Sequence, residues 1–415
     1  MNGSKEISDQ KISLRQLPRN VWALSLTSFF MDISSEMVIN LLPLFLFNTL
    51  GVRTSVIGLI EGIGETTASM IKLVSGWISD RLRARKWLAV TGYALSAFTK
   101  PFFYFAESWI AVAVVRWADR VGKGIRTSPR DALLADSIEE SARGIAFGLQ
   151  RAADTAGAML GLLITLAGVW YLQSSALDLN ESTFRTIVLL SLVPAFLAVL
   201  TIATGAQDVP IGAERNQIKI GFGSLGKSFI VFLVLVCLFE LGNSSDAFMI
   251  IRAQERGLSV LGILSMLVVF NLIYSLISTP AGALSDRIGR RRVIAAGWLI
   301  YASIYLGFGL AKSGWQAWLL YAIYGSYYGL TYGTSKAMVA DLVSENVRGT
   351  AFGTYNAAVG LMAFPASFIA GILWQGIGSW YGFGPAAPFI FGAATALLAA
   401  LLLTFWFPMV NKNRE

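Results

Sequence analysis

Apolar residues in this chain gather into long unbroken runs, most of them about 20 residues or a little more, the length that carries a helix across a ~30 Å hydrocarbon layer. Twelve such runs are legible, at 20–47, 55–79, 88–106, 108–128, 144–171, 184–204, 227–251, 258–283, 292–312, 315–340, 349–378 and 386–408. Six precede the polar stretch 206–226 and six follow it. The pattern predicts an all-α membrane protein with twelve transmembrane helices in two six-helix bundles, 20–205 and 227–408. Residues 206–226 form the linker, and 1–19 and 409–415 are polar ends. No cleavable signal peptide is read in the first twenty residues, which are polar.

The two halves are related. GWISDRLRARK (76–86) returns as GALSDRIGRRR (282–292), and ALLADSIEESARGIAFG (132–148) returns as AMVADLVSENVRGTAFG (337–353). The chain separation between Asp80 and Asp286 matches that between Arg143 and Arg348 to within one residue. Two landmarks with one offset mean a duplicated, pseudo-symmetric architecture.

Composition agrees with the spans, since 55% hydrophobic and 14% charged residues lie far from the average of a soluble domain. Lys and Arg collect in the even-numbered connections: Arg81, Arg83, Arg85 and Lys86 after the second span, Arg287 and Arg290 to Arg292 after the eighth, Arg215, Lys219 and Lys227 around the linker. Basic short loops stay on the cytoplasmic side. Both termini are therefore expected in the cytoplasm, in a multi-pass protein of the cytoplasmic (inner) membrane. The formal charge of +8 is a matter of topology and lipid headgroups, and no nucleic-acid partner is expected.

Charges inside the spans carry more information, because an ionisable group in hydrocarbon is costly unless it faces protein or water. The first span holds Asp32 and Glu36 on one face, with Ser34 and Ser35 between them. The seventh, its counterpart in the repeat, holds Glu240, Asn243 and Asp246, and Ser244-Ser245-Asp246 echoes Ser34-Ser35-Glu36. Repeated acids in paired helices suggest a central site with two sides.

The fourth span reads VVRWADRVGKGIRTSPRD. At about 100° per residue, Arg116, Asp119, Arg120, Lys123, Arg126 and Arg130 fall within an arc of roughly 120°. Such a stripe cannot face lipid, so it lines a cavity or packs against Asp32, Glu36, Glu61 or Asp154. Arg126 and Arg130 lie either in the cavity or, if the span ends early, in cytoplasmic water. Their counterparts in the tenth span are uncharged, with Tyr321 opposite Arg116 and Tyr328 opposite Lys123. A charged site in the first half and a tyrosine-rich wall in the second follow. Glu61, Glu65 and Lys72 share one face of the second span, either leading toward the cavity or forming an internal ladder with the fourth or eleventh. Arg151 and Asp154 open the fifth, followed by Gly157 and Gly161 at a spacing that lets helices approach closely.

With these motifs in order, the chain resembles the major facilitator superfamily over about 20–408. The family's loop signature is matched by Gly282, Asp286, Arg287, Gly289, Arg290 and Arg291; in the first half Gly76, Asp80 and Arg81 stand, with Arg83 where the family has Gly. Arg116, Gly122, Gly124 and Pro129 match its fourth-helix signature, and DRVGKGIRTSPRDALLAD resembles one bacterial branch. The resemblance implies that helices 1, 4, 7 and 10 line a central site and that Arg116 takes part in proton coupling. The loop residues Gly76, Asp80, Arg81, Gly282, Asp286 and Arg287 read as a conformational latch, in which a carboxylate can meet the positive end of a neighbouring helix.

The chain has no His and a single Cys, Cys237, so soft or imidazole metal sites and His relays are excluded. No phosphate loop and no nucleophile with a base is visible, so neither ATP-driven pumping nor enzyme catalysis is expected, and no cofactor. The reading is a secondary transporter working by alternating access, functional as a monomer, coupled to protons, for a small organic anion or amphiphile. In it Asp32 or Glu36 pairs with Arg116 or Arg120, and moving the Arg moves the proton. The alternative is a drug or cation exporter, a proton antiporter with a carboxylate-lined site; a nontransporting sensor on the same fold is a third reading.

Overall fold

The computed structural model describes residues 17–82, 85–139, 142–173, 177–209, 225–344 and 347–405, apart from the side chains of Asp80 and Leu82. The N-terminal segment before 17, most of the linker and the tail lie outside the described residues, as does the side chain of the expected latch residue Asp80. Among the described residues the structure is helical throughout, with no strand.

The first half contains α1 (Arg19–Ile39), α2 (Leu42–Leu44), α3 (Thr54–Leu82), α4 (Arg85–Thr99), α5 (Pro101–Tyr104), α6 (Trp109–Asp136), α7 (Arg143–Gln173) and α8 (Glu181–Gly205). A π-helical turn, Phe45–Thr49, follows α2. The second half contains α9 (Lys227–Gly242), α10 (Ala247–Glu255), α11 (Val260–Ile288), α12 (Arg290–Leu310), α13 (Gly314–Leu342), α14 (Arg348–Gln375) and α15 (Ala387–Phe405). Each predicted span coincides with one helix or with a broken run of helix. The first is interrupted at Asn40 and Leu41, ahead of Pro43; the third at Lys100, ahead of Pro101; the seventh at Asn243 to Asp246. Proline explains the first two, because its ring removes a donor and crowds the preceding turn.

Eight of these runs are long and apolar enough to cross a membrane. The other four predicted spans fall on α3, α4 with α5, α6 and α13. Three of them have a visible reason: α3 and α6 carry the charged faces, and α13 is rich in Gly, Ser, Thr and Tyr. Large apolar side chains such as Val193, Phe196 and Leu276 are exposed on the outer surface, as lipid contact requires.

Within the first half α1 packs on α7 and α8, and α6 on α3 and α4; within the second α13 packs on α11 and α12, and α15 on α9 and α12. The two halves meet where α3 lies along α14 and α7 along α11. Gly157 and Gly161 do what their spacing predicts. A Cβ at Gly161 would stand 2.6 Å from the Ile33 carbonyl oxygen, and one at Gly157 would collide with that of Phe29. This approach presses α7 against α1 beside Asp32 and Glu36.

Candidate functional site

The α6 stripe is continuous, with Arg116, Asp119, Arg120 and Arg126 buried and Lys123 and Arg130 half-buried. The helix runs unbroken to Asp136, so Arg126 (7% exposed) lies within the protein and Arg130 is half-buried. Burial keeps Arg126 out of bulk water, whereas Arg130 is only partly covered. Arg116 donates from Nη2 to Glu61 Oε2 at 2.7 Å, and Arg120 Nη1 meets Glu65 Oε1 at 3.0 Å. Both helices step four residues between these pairs, one turn of each, so they form the ladder that the second span left as one of two alternatives. Arg126 donates to Ser96 Oγ at 2.7 Å and lies 4.7 Å from the Tyr93 ring centroid. Arg130 pairs with Asp131 and donates to Ser28 Oγ at 2.8 Å.

The expected pairing of Asp32 or Glu36 with Arg116 or Arg120 is not what the structure holds, because Glu61 and Glu65 already occupy those arginines. Glu36 instead accepts from Asn40 Nδ2 at 2.7 Å. Asp32 forms no hydrogen bond or ion pair among the described residues, and the charges acting on it are Asp154, Arg126, Glu36 and Arg130. Asp154 accepts from Gln150 Nε2 at 2.8 Å. Asp119 is buried, with Arg120, Lys100, Arg126 and Arg116 as the charges that act on it.

Lys100 was not singled out by the sequence. It is 2% exposed at the break between α4 and α5, and its Nζ donates to Ser34 Oγ at 2.5 Å and Ser35 Oγ at 3.2 Å. A buried ammonium thus grips the two serines between Asp32 and Glu36. The available signal was a lone Lys inside an apolar run, ahead of a Pro.

In the second half the acids flank the α9–α10 break, Glu240 in the last turn of α9 and Asp246 at the start of α10. Asn243 Nδ2 donates to Glu240 Oε2 at 2.9 Å, and Tyr324 OH donates to Asp246 Oδ1 at 3.3 Å. Unwound helix at such a position is tolerated where it lines a cavity. The tyrosine wall is larger than Tyr321 and Tyr328. Tyr324 stands between them, with centroids 5.5 and 5.2 Å away, and Tyr301 and Tyr305 of α12 and Phe270 of α11 extend it. A separate cleft of 630 Å³ between α7 and α11, walled by Leu163, Trp170 and Leu261 among others, carries no charged group.

At the basic end, Asp286 pairs with Arg290 at 2.5 Å and Arg290 Nε reaches Asp341 at 3.3 Å. Arg85 and Asp136 form the equivalent pair in the first half. Each half thus ties the start of its third helix to the end of its fourth, and Asp286 bonds within its own half. Arg81 lies over the Trp77 ring at 5.3 Å, Arg287 is exposed, and Gly76 and Gly282 are half-buried, Gly76 beside Ser128.

Some polar contacts between halves lie at the opposite end, besides those of Arg151 with Tyr274 and of Thr66 with the Gly360 carbonyl. Thr54 donates its backbone N–H to Gln375 Oε1 at 2.6 Å, and Gln254 Nε2 donates to the Leu177 carbonyl at 3.0 Å and to Asp178 Oδ1 at 3.3 Å. Toward the basic end, Arg151 is exposed and Tyr332 is 46% exposed.

Comparison with known proteins places this geometry. The Major Facilitator Superfamily profile matches residues 24–264 and 220–415. An uncharacterized MFS-type transporter of Methanocaldococcus jannaschii is 36% identical over 397 residues, covering 94% of this chain and 96% of its own. A POT family transporter in complex with 5-aminolevulinic acid shares the fold at a TM-score of 0.79 and 13% identity, over 96% of this chain and 98% of its own. A D-xylose–proton symporter does so at 0.73 and 15%, over 94% and 98%. The chain belongs to the major facilitator superfamily and is a membrane transporter of that type.

Proposed function

We propose that this protein is a proton-coupled secondary transporter of a small organic anion or amphiphile, in which residues 20–205 and 227–408 rock about a central site. The observation that carries the coupling is the state of the acids between the halves. Asp32 forms no bond among the described residues, and Glu36, Glu240 and Asp246 meet only neutral partners. An ionised carboxylate without a cation is costly at this depth, so a proton is its natural counter-charge. Arg116 and Arg120, each held by an acid of α3, act as the fixed frame, and Asp154, Arg126, Glu36 and Arg130 set the field around Asp32.

The basic loops put both termini in the cytoplasm of an inner-membrane protein that works as a monomer among anionic lipids. The structure is then inward-facing, with the Thr54–Gln375 and Gln254–Leu177 contacts sealing the outer side. Gly76, Asp80, Arg81, Gly282, Asp286 and Arg287 serve as the inner latch once the halves close there. Family relatedness to a proton symporter supports the coupling ion.

The experiment is uptake into proteoliposomes with a trapped pH dye across a panel of organic anions. Solute entry should carry protons, and the double variant Asp32→Asn, Glu36→Gln should abolish it. A double variant that still builds a solute gradient from a pH gradient would sink the reading.

A second reading, a proton-exchanging exporter of organic cations, is favoured by the Tyr324 and Tyr321 faces beside Asp246, since aromatic walls with a carboxylate suit a cation. Cation-driven proton release that depends on Asp246 would select it.

A further inference from the structure

Three cations from three helices converge on one tyrosine, Tyr332 of α13. Lys336, one turn along the same helix, places Nζ 4.3 Å from the ring centroid. Arg151 of α7, from the other half of the protein, places Cζ 5.5 Å from the same centroid. Its Nη2 also donates to Tyr274 OH of α11 at 2.7 Å, which fixes the guanidinium across the junction of the halves. Lys72 of α3 lies within electrostatic reach of the same phenol.

No acid pairs directly with this group, although Asp154 lies within electrostatic reach of Arg151 and Glu65 within that of Lys72. Among the described residues Arg151, Lys336 and Lys72 form no ion pair, and the nearby carboxylates are engaged elsewhere: Glu65 with Arg120, Asp131 with Arg130, and Asp154 with Gln150. One ring face can attract a cation, but it does not cancel the repulsion of several like charges gathered around it. The group is also reachable, since Tyr332 is 46% exposed and Arg151 is exposed toward the basic end. The deep acids Asp32, Glu240 and Asp246 lie on other helices, so this is a separate place in the protein.

We propose that Tyr332, Arg151, Lys336 and Lys72 form an anion site that takes a phosphate group, held between the two halves. The chemistry follows from the donors. Arg151 presents a planar fork and the two lysines present point charges, a combination suited to a tetrahedral group with several acceptor oxygens. The phenol of Tyr332 supplies a further donor. Because Arg151 and Lys72 come from the first half and Lys336 and Tyr332 from the second, an occupant ties the halves together in this conformation. The phosphate is either that of a soluble solute, which can carry two charges, or the singly charged phosphodiester of a lipid headgroup entering from the membrane.

The binding step does not rest on the carrier reading; only the occupant's passage through the protein does. The test is thermal unfolding of the full chain in neutral detergent with inorganic phosphate, against chloride at equal ionic strength. Phosphate should raise the midpoint saturably. Lys336→Gln and Arg151→Gln should each shift the half-saturating phosphate concentration upward by about tenfold or more, the effect of losing one charge-assisted contact. Lys312→Gln, on an exposed loop at the other end, should leave it unchanged. Lys72→Gln stands in if either variant fails to fold. Absence of a phosphate effect in the wild type, or an equal effect in every variant, overturns the proposal.

The same titration in phosphatidylcholine and in phosphatidylglycerol nanodiscs separates the sources. A phosphate response that persists equally in both assigns the site to a soluble phosphate. A response present in phosphatidylcholine but absent in phosphatidylglycerol, where wild type is more stable than Lys336→Gln without added phosphate, assigns it to a headgroup. If phosphate binding fails while Asp32-dependent proton flux remains, this site falls and the carrier reading stands; the reverse result removes the carrier reading alone.

Discussion

Glu61 and Arg116 close a buried ion pair at 2.7 Å between α3 and α6, and one turn further along both helices Glu65 and Arg120 close another at 3.0 Å. Neither Glu61 nor Arg116 is exposed to more than a few per cent. Removing one partner leaves the other charge buried and alone, at a cost of about 3–5 kcal/mol. Arg116→Ala and Glu61→Gln should each lower the thermal midpoint strongly. The double substitution Glu61→Leu, Arg116→Met should recover most of the loss, because two apolar side chains of similar length need no counter-charge. Additive losses in the double variant would show that the pair is not coupled.

Lys100 grips Ser34 and Ser35 from the α4–α5 break. Lys100→Met keeps the length of the side chain while removing the charge, so folding should be little affected. Transport should fall by roughly tenfold or more, the kinetic equivalent of one lost charge-assisted hydrogen bond. Parallel measurement of thermal stability and flux decides it: equal losses in both would mark Lys100 as scaffold only.

Much of this was legible in the sequence, and the limits are physical. Helical period puts Glu61 and Glu65 on one face and Arg116 and Arg120 on another, but period says nothing about which faces meet. The coupling scheme read from the sequence therefore pairs the arginines with Asp32 or Glu36 while leaving a ladder between the second and fourth spans open, and the structure holds that ladder. Tyr321 and Tyr328 were found through the repeat, which compares α13 with α6. Tyr324 stands opposite Asp119 in the same repeat, whereas Tyr301 and Tyr305 lie outside the stripe, and only the fold gathers them. Arg85–Asp136 and Arg290–Asp341 lay within the duplicated strings, yet their pairing needed the helices to be placed.

Gly161 sets the distance between α7 and the acidic face of α1. A side chain there would stand 2.6 Å from the Ile33 carbonyl oxygen, and backbone cannot yield as a flexible side chain can. Gly161→Val should destabilise by about 1–3 kcal/mol through overpacking. It should also reduce proton-coupled flux, since α1 carries Asp32 and Glu36. Gly148, whose added Cβ would meet nothing within 4 Å, is the control: Gly148→Ala should leave both stability and flux close to wild type.

The seal opposite the basic loops offers a test of movement itself. Gln254 of α10 reaches Leu177 and Asp178 of the other half, and rocking of the halves has to part them. The chain contains a single cysteine, Cys237, so a Cys237→Ser background is clean for cross-linking. Gln254→Cys with Asp178→Cys, joined by a short thiol-reactive bridge, should hold the halves in the present conformation. Transport should then stop, and reductive cleavage of the bridge should restore it. On the proposed inward-facing reading, a solute or phosphate supplied from the basic side should still bind to the cross-linked protein with wild-type affinity. Full transport by protein shown to be completely cross-linked would mean that this end does not open, and the rocking mechanism would have to be abandoned.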